Sequence, residues 1–134
     1  MKNIKAKKIL LPVSPAELMD KISILEIKAK QISDSEKLKN VKHELEVLTE
    51  VFKKNIKQSK ELNQLFVQLR KLSAKGWRIE DTKRDCESRK DFGPKFINAA
   101  RGAFKNNDER AALWKKINLY LKSDIVQEKS YKKY

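Results

Sequence analysis

Apolar residues recur along this chain at alternating spacings of four and three, the period of a helix with one buried face. Leu18, Ile22, Leu25, Ala29 and Ile32 trace the first such face. It opens on "SPAE", where Ser14 caps, Pro15 takes a first-turn position that needs no N–H, and Glu17 completes a capping box. A second box, Ser33 with Glu36 in "SDSE", precedes Leu38, Val41, Leu45, Leu48 and Phe52. After the lysine-rich "KKNIKQSK", the residues Leu62, Leu65, Leu69, Leu72, Gly76 and Ile79 carry a third helix over about 60–88, ended by Gly93 and Pro94 of "DFGP". Phe96, Ile97, Ala100 and Phe104 predict a short fourth helix. Asn107 of "NND" then caps a fifth, through Leu113, Trp114, Ile117 and Leu121, with Asp108 and Glu109 at its positive dipole end. Ahead of them all, "KKILLPV" reads as a short extended strand.

The pattern predicts an all-α fold, a small antiparallel helical bundle of about five helices. None of the seams lasts three or four heptads, which argues against a free-standing coiled coil. A single domain over 1–134 is expected, with basic flexible ends at about 1–8 and 128–134. A chain of 134 residues can bury a core of its own. The apolar run in "MKNIKAKKILLPVS" is too short for a signal peptide, and no stretch approaches the roughly 20 apolar residues of a membrane span. The lone Cys86 excludes an internal disulfide, so a soluble, cytoplasmic protein is expected.

The formal charge of +14 raises nucleic acid or an acidic protein as partners. Its distribution weakens the first. Residues 1–8, 53–60 and 128–134 hold ten of the fourteen net charges, so the excess sits in the ends and one junction rather than on one face. A helix-turn-helix over 94–121 fails on charge too, because Asp108 and Glu109 would meet phosphates at the end that should read bases. Sequence-independent contact through lysines remains the lesser alternative.

Two places break the ordinary helix grammar. In "WRIEDTKRD", Trp77, Glu80, Asp81 and Arg84 fall within an arc of about 100° at the rim of the third seam. The plain alternative is a surface Glu80–Arg84 pair with Trp77 as core cover. Asp20 shares a face with Ile24 and Ile27, away from the Leu18–Ile32 seam, so the first helix is expected to be covered on two sides. A carboxylate in that stripe needs a partner, and Arg84, Arg101 and Arg110 are the candidates. No catalytic spacing is complete. His43 stands alone, there is no glycine-rich phosphate loop, and the spacing of Glu26, Glu44, Glu80 and Asp81 does not specify a magnesium site, so no cofactor is assigned.

The segments "PVSPAELMDKISILEIKAKQI", "KLKNVKHELEVL", "WRIEDTKR", "ARGAFKNNDERAALWKKIN" and "SDIVQEKSY" together resemble a family of bacterial and phage proteins that is a conserved domain of unknown function. The resemblance runs from about residue 11 to 131. It directs attention to Ser14, Glu17, Asp20, Lys21, Glu26 and Lys28, to Asn40 and Glu44, and to Trp77, Glu80, Asp81 and Arg84. Further along it marks Arg101, Asn107, Asp108, Arg110 and Asn118, and then Glu128, Lys129, Ser130 and Tyr131. It also implies a setting in cell-surface polysaccharide synthesis, since members are often encoded near or fused to such enzymes. Three positions depart from the family pattern: Ala16 replaces a glycine, Gly76 a leucine and Trp114 a lysine.

The expectation is therefore a polar pocket between helices for an anionic ligand such as a phosphate-bearing small molecule, in an accessory or enzymatic role. The candidate ligand residues are Asp20, Lys21, Glu26, Lys28, Glu44, Trp77, Glu80, Asp81, Arg84, Arg101, Asn107, Asp108 and Arg110. The rival reading is a non-catalytic interaction module whose polar residues only lock the helices together. Oligomeric state is not legible.

Overall fold

The computed structural model describes residues 5–134, so part of the basic N-terminal end, residues 1–4, lies outside the described residues. Four helices follow one another: α1 (Pro15–Gln31), α2 (Ser35–Asn55), α3 (Lys60–Ser88) and α4 (Pro94–Tyr120). Ser14 accepts the Glu17 N–H and Ser59 accepts the Leu62 N–H, so α1 and α3 start on side-chain caps. The cap of α2 is Asp34, which accepts the Lys37 N–H, rather than Ser33. There is no strand among the described residues, and "KKILLPV" is without regular structure, with Ile9, Leu10 and Leu11 exposed.

The five-helix expectation is corrected to four, because the predicted fourth and fifth helices are one. Asn107 does not cap anything; it lies inside α4 and accepts from the Arg110 side chain. No glycine–proline break interrupts the segment, and Asn106 turns inward, donating from Nδ2 to the Leu72 carbonyl at 3.1 Å. Tertiary contact overrides the turn propensity of "NND".

α1 is the centre of the bundle, packing against α2, α3 and α4, while α3 packs along α4. The α3–α4 pair is antiparallel: Ser59 meets Tyr120 at one end, Leu72 meets Asn106 midway, and Gly102 faces Ile79 further out. α1 touches α4 through Ala16 and Asp20, and α3 through Ser23 and Glu26. The core gathers Leu18, Met19 and Ile22 of α1, Phe52 of α2, Leu62, Leu65, Phe66 and Leu69 of α3, and Leu113 and Ile117 of α4. Phe52 and Phe66 meet edge to face at 5.6 Å.

Both α3 and α4 end with a lysine in the left-handed region, Lys90 at φ 55° and Lys122 at φ 54°. Each sits in a Schellman-type turn. Asp91 N–H reaches the Cys86 carbonyl and Ser123 N–H reaches the Asn118 carbonyl. The second turn sends residues 123–134 back along α4, where Lys129 and Tyr134 reach Asp108. No helix among the described residues is long and apolar enough to cross a membrane.

Candidate functional site

Asp20 is the anchor of the polar interior. Its side chain is 8% exposed, and Arg110 from α4, 23% exposed, faces it. One guanidinium nitrogen, Nη2, donates to both carboxylate oxygens at 2.7 and 2.6 Å, while Nη1 donates to Asn107 at 3.2 Å. This differs from a two-pronged fork, and it leaves Arg110 Nε buried with no acceptor. Of the three arginines the sequence offered, the structure selects Arg110. Arg84 pairs instead with Glu80 at 2.6 Å, and Arg101 is exposed on α4.

A second polar chain ties α4 to α1 and to the C-terminal segment. Asn118, fully buried, accepts the Ala16 N–H and donates to Gln127 Oε1, and Gln127 Nε2 donates in turn to Glu17. Gln127 is thereby fixed over the start of α1. Tethers further along come from Glu128 to Lys115 at 3.2 Å and from Lys129 to Asp108 at 3.1 Å. Tyr134 donates to Asp108 at 3.0 Å and stacks edge to face on Phe104. Hydrogen bonds from Lys129 and then Tyr134 hold the Asp108 carboxyl below its ordinary pKa, and the same contact raises Tyr134 above 10.0.

Between α4 and this segment lies a cavity of about 730 Å³, within the size range of small-molecule sites. Asp20, Asp108 and Glu128 line it, each joined to one of the cations Arg110, Lys129 and Lys115. Lys132 and Lys133 also line it and have no ion-pair partner among the described residues, so its wall is net positive. Trp114 and Tyr131 supply aromatic surface. The Trp114 indole Nε1 is buried without an acceptor, as is Arg110 Nε.

A second cavity, about 440 Å³, opens between α3 and α4 on the far side of Arg110 and Asn107, which line both. Trp77, Glu80, Asp81 and Arg84 share its wall with Ile24 of α1. Glu80 accepts from Lys83 at 2.9 Å and from Arg84, and these bonds, Lys83 first, hold its carboxyl below the usual value.

The structure thus divides the sequence candidates in three. Asp20, Asn107, Asp108 and Arg110 meet at the larger cavity, and Trp77, Glu80, Asp81 and Arg84 meet at the smaller. Lys21, Glu26, Lys28, Glu44 and Arg101 line neither. Glu26 is taken up by Arg70, whose guanidinium also stacks 3.9 Å from the Phe66 ring. No group of three or more metal-ligating side chains gathers among the described residues, and Glu26 and Glu44 stand apart from Glu80 and Asp81. Sequence reasoning missed Asn106, Gln127 and the lysines and tyrosine at 132–134. Only an inward face on α4 through Asn106, Leu113 and Ile117 would have flagged the first.

These features define an all-α helical bundle with two open cavities, one between its two longest helices and one between α4 and the C-terminal segment. Over residues 9–134 the chain matches the model of a family of unknown function (DUF6165), and it belongs to that family. No curated protein matches the chain, and no solved structure does.

Proposed function

We propose that the larger cavity binds the phosphate-bearing part of a small molecule, a nucleotide sugar or phosphorylated sugar, in the service of cell-surface polysaccharide metabolism. One observation carries the anionic part of this reading: two buried donors without acceptors, Arg110 Nε and Trp114 Nε1, belong to side chains lining one net-positive cavity. A buried donor left unpaired costs about 1–3 kcal/mol, and a rotation of either side chain toward the cavity would let a ligand oxygen relieve it. Lys132 and Lys133 give the long-range attraction, and Trp114 and Tyr131 offer faces on which a base or sugar ring stacks. The metabolic setting rests on the family resemblance. No bond-making step is assigned.

The test is a thermal-shift and calorimetric screen of pyrophosphate, nucleoside diphosphates and nucleotide sugars at two salt concentrations. Binding that weakens about tenfold in Lys132→Glu/Lys133→Glu, with melting unchanged, supports the pocket. Absence of binding by every anion sinks it.

A second reading is favoured by the bonds themselves. Asp20–Arg110 and the Asn118–Gln127–Glu17 chain join α1, α4 and the C-terminal segment, as a purely structural lock in an interaction module would. On that reading Arg110→Ala lowers melting and changes nothing else.

A further inference from the structure

The smaller cavity is balanced in charge where the larger is positive, with Glu80 and Asp81 set against Arg84 and Arg110 on its wall. Besides Arg110 Nε, which belongs to both walls, it holds a buried orphan acceptor: Asn106 is 2% exposed, and its Oδ1 has no partner. The amide orientation is fixed, because Nδ2 must be the atom that donates to the Leu72 carbonyl. Asp81 adds a carboxylate with no ion-pair partner among the described residues. Trp77 lies on the same wall, and Ile24 and Ile79 supply apolar surface. Two acceptors beside an indole and an aliphatic floor suit a ligand group that carries hydrogen-bond donors and apolar C–H faces.

Charge decides between the two classes that fit. An ammonium group would be drawn to Asp81 but would meet the guanidiniums of Arg84 and Arg110, which line the same space. Glu80 is paired with Lys83 and Arg84, and Arg110 with Asp20, so the wall as a whole offers a ligand cation no net negative charge. A neutral hydroxylated ring bears no such penalty and satisfies the same acceptors. Hydroxyls donating to Asp81 and, once the Asn106 side chain turns toward the ligand, to its Oδ1, with a ring face against Trp77, use both unpaired acceptors of the cavity.

We propose that this second cavity is a saccharide subsite, divided from the anion site by Arg110 and Asn107, which line both. Gly76 keeps the space open. A Cβ there would stand 3.0 Å from Asn106 Nδ2, tighter than ordinary packing, and a larger side chain would enter the cavity. This is the position at which the chain carries glycine where the family pattern has leucine.

The chain has two tryptophans, and each lines a different cavity: Trp77 the smaller, Trp114 the larger. Two indole N–H signals in a ¹⁵N-labelled sample therefore report the two sites separately. Titration with methyl glycosides of the common hexoses and N-acetylhexosamines, each to about 100 mM, should move the Trp77 signal and leave Trp114 in place. A Kd weaker than that corresponds to less than about 1.4 kcal/mol and counts as no site. Gly76→Leu should raise the saccharide Kd at least about tenfold, and Asp81→Asn about threefold or more, both leaving the pyrophosphate response of Trp114 unchanged.

Three results overturn the proposal: no glycoside moves Trp77, a glycoside moves Trp114 equally, or ethanolamine moves Trp77 where glycosides do not. A Gly76→Leu protein with native melting and unaltered saccharide affinity does so as well. Should Gly76→Leu fail to fold, Asp81→Asn decides, and unchanged affinity in that variant refutes the subsite. Failure of pyrophosphate to move Trp114 counts against the larger pocket alone.

Discussion

Leu69 and Ile79 belong to one apolar seam of α3, yet Leu69 is wholly buried in the core and Ile79 is half-exposed. The difference lies in what covers them. At roughly 1.5 Å per residue, α3 spans about 43 Å and α1 about 25 Å, so α1 covers only part of the α3–α4 pair. The core members of α3 stop at Leu69 and those of α4 begin at Leu113. Outward from Asn106 the pair continues as a two-helix hairpin in which Cys86 is buried and the aromatic contact is Phe92 on Phe96. Both cavities lie where that coverage gives out. A fully packed end fixes the geometry, and the end of packing leaves room for a ligand.

The sharpest way to break the comparison is a truncation at each site. Leu69→Ala should cost about 2–5 kcal/mol in denaturant unfolding, since a fully enclosed side chain leaves a cavity as well as losing its transfer energy. Ile79→Ala should cost about 1 kcal/mol, because the half-exposed site can relax and water can enter. Equal losses would mean that the hairpin is as firmly packed as the core.

Arg110→Ala comes next. It strands Asp20 at a site where the carboxylate is nearly closed off from water, and loss of one partner of such a pair costs about 3–5 kcal/mol when both are fully buried. The partial exposure of Arg110 brings the expectation down to about 2–3 kcal/mol. Asp20→Asn/Arg110→Met should recover at least half of that loss, read in the same unfolding experiment. A double variant no better than Arg110→Ala would show that the loss does not come from the stranded Asp20 charge.

The sequence made the packed end legible and the cavities only in part. The apolar period placed α1, with its "SPAE" start, and α3, and an acid in an apolar stripe announced that Asp20 needs a cation. Which arginine answers depended on α4 being unbroken, and that was hidden. "NND" has the local chemistry of a cap, and only the Leu72 carbonyl, 34 positions away, turns Asn106 into a helix-interior residue. The C-terminal segment was hidden for a similar reason. Glu128, its lysines and its tyrosines read as a solvated end, while the partners Lys115, Asp108 and Phe104 lie on a helix face no local pattern connects to them.

A smaller effect sharpens the comparison at the two helix ends. Lys90 and Lys122 each hold a left-handed backbone that glycine adopts without steric cost. Lys122→Gly should raise global stability by about 0.5–1 kcal/mol, a shift visible as a higher melting temperature. Lys90→Gly relieves the same strain at the hairpin tip. If the hairpin opens apart from the core, its gain should show as slower hydrogen exchange at residues 86–96, with little change in global melting.

The smallest effect belongs to Glu80, on the hairpin side of the boundary. Its carboxyl is pulled below the usual 4.5 by hydrogen bonds from Lys83 and Arg84, so the folded state binds its proton more weakly than the unfolded state does. Stability from this group is therefore fully present above the unfolded pKa and is lost as pH falls through the lowered folded value. The side chain is 48% exposed, and such pairs contribute about 0.3–0.5 kcal/mol each. Glu80→Gln should accordingly match the parent protein in acid and fall below it near neutrality by no more than about 1 kcal/mol, with high salt narrowing the gap. A larger gap at neutral pH, or one insensitive to salt, would place Glu80 inside a network that water does not reach, and the hairpin would then be held by buried electrostatics rather than left loosely packed.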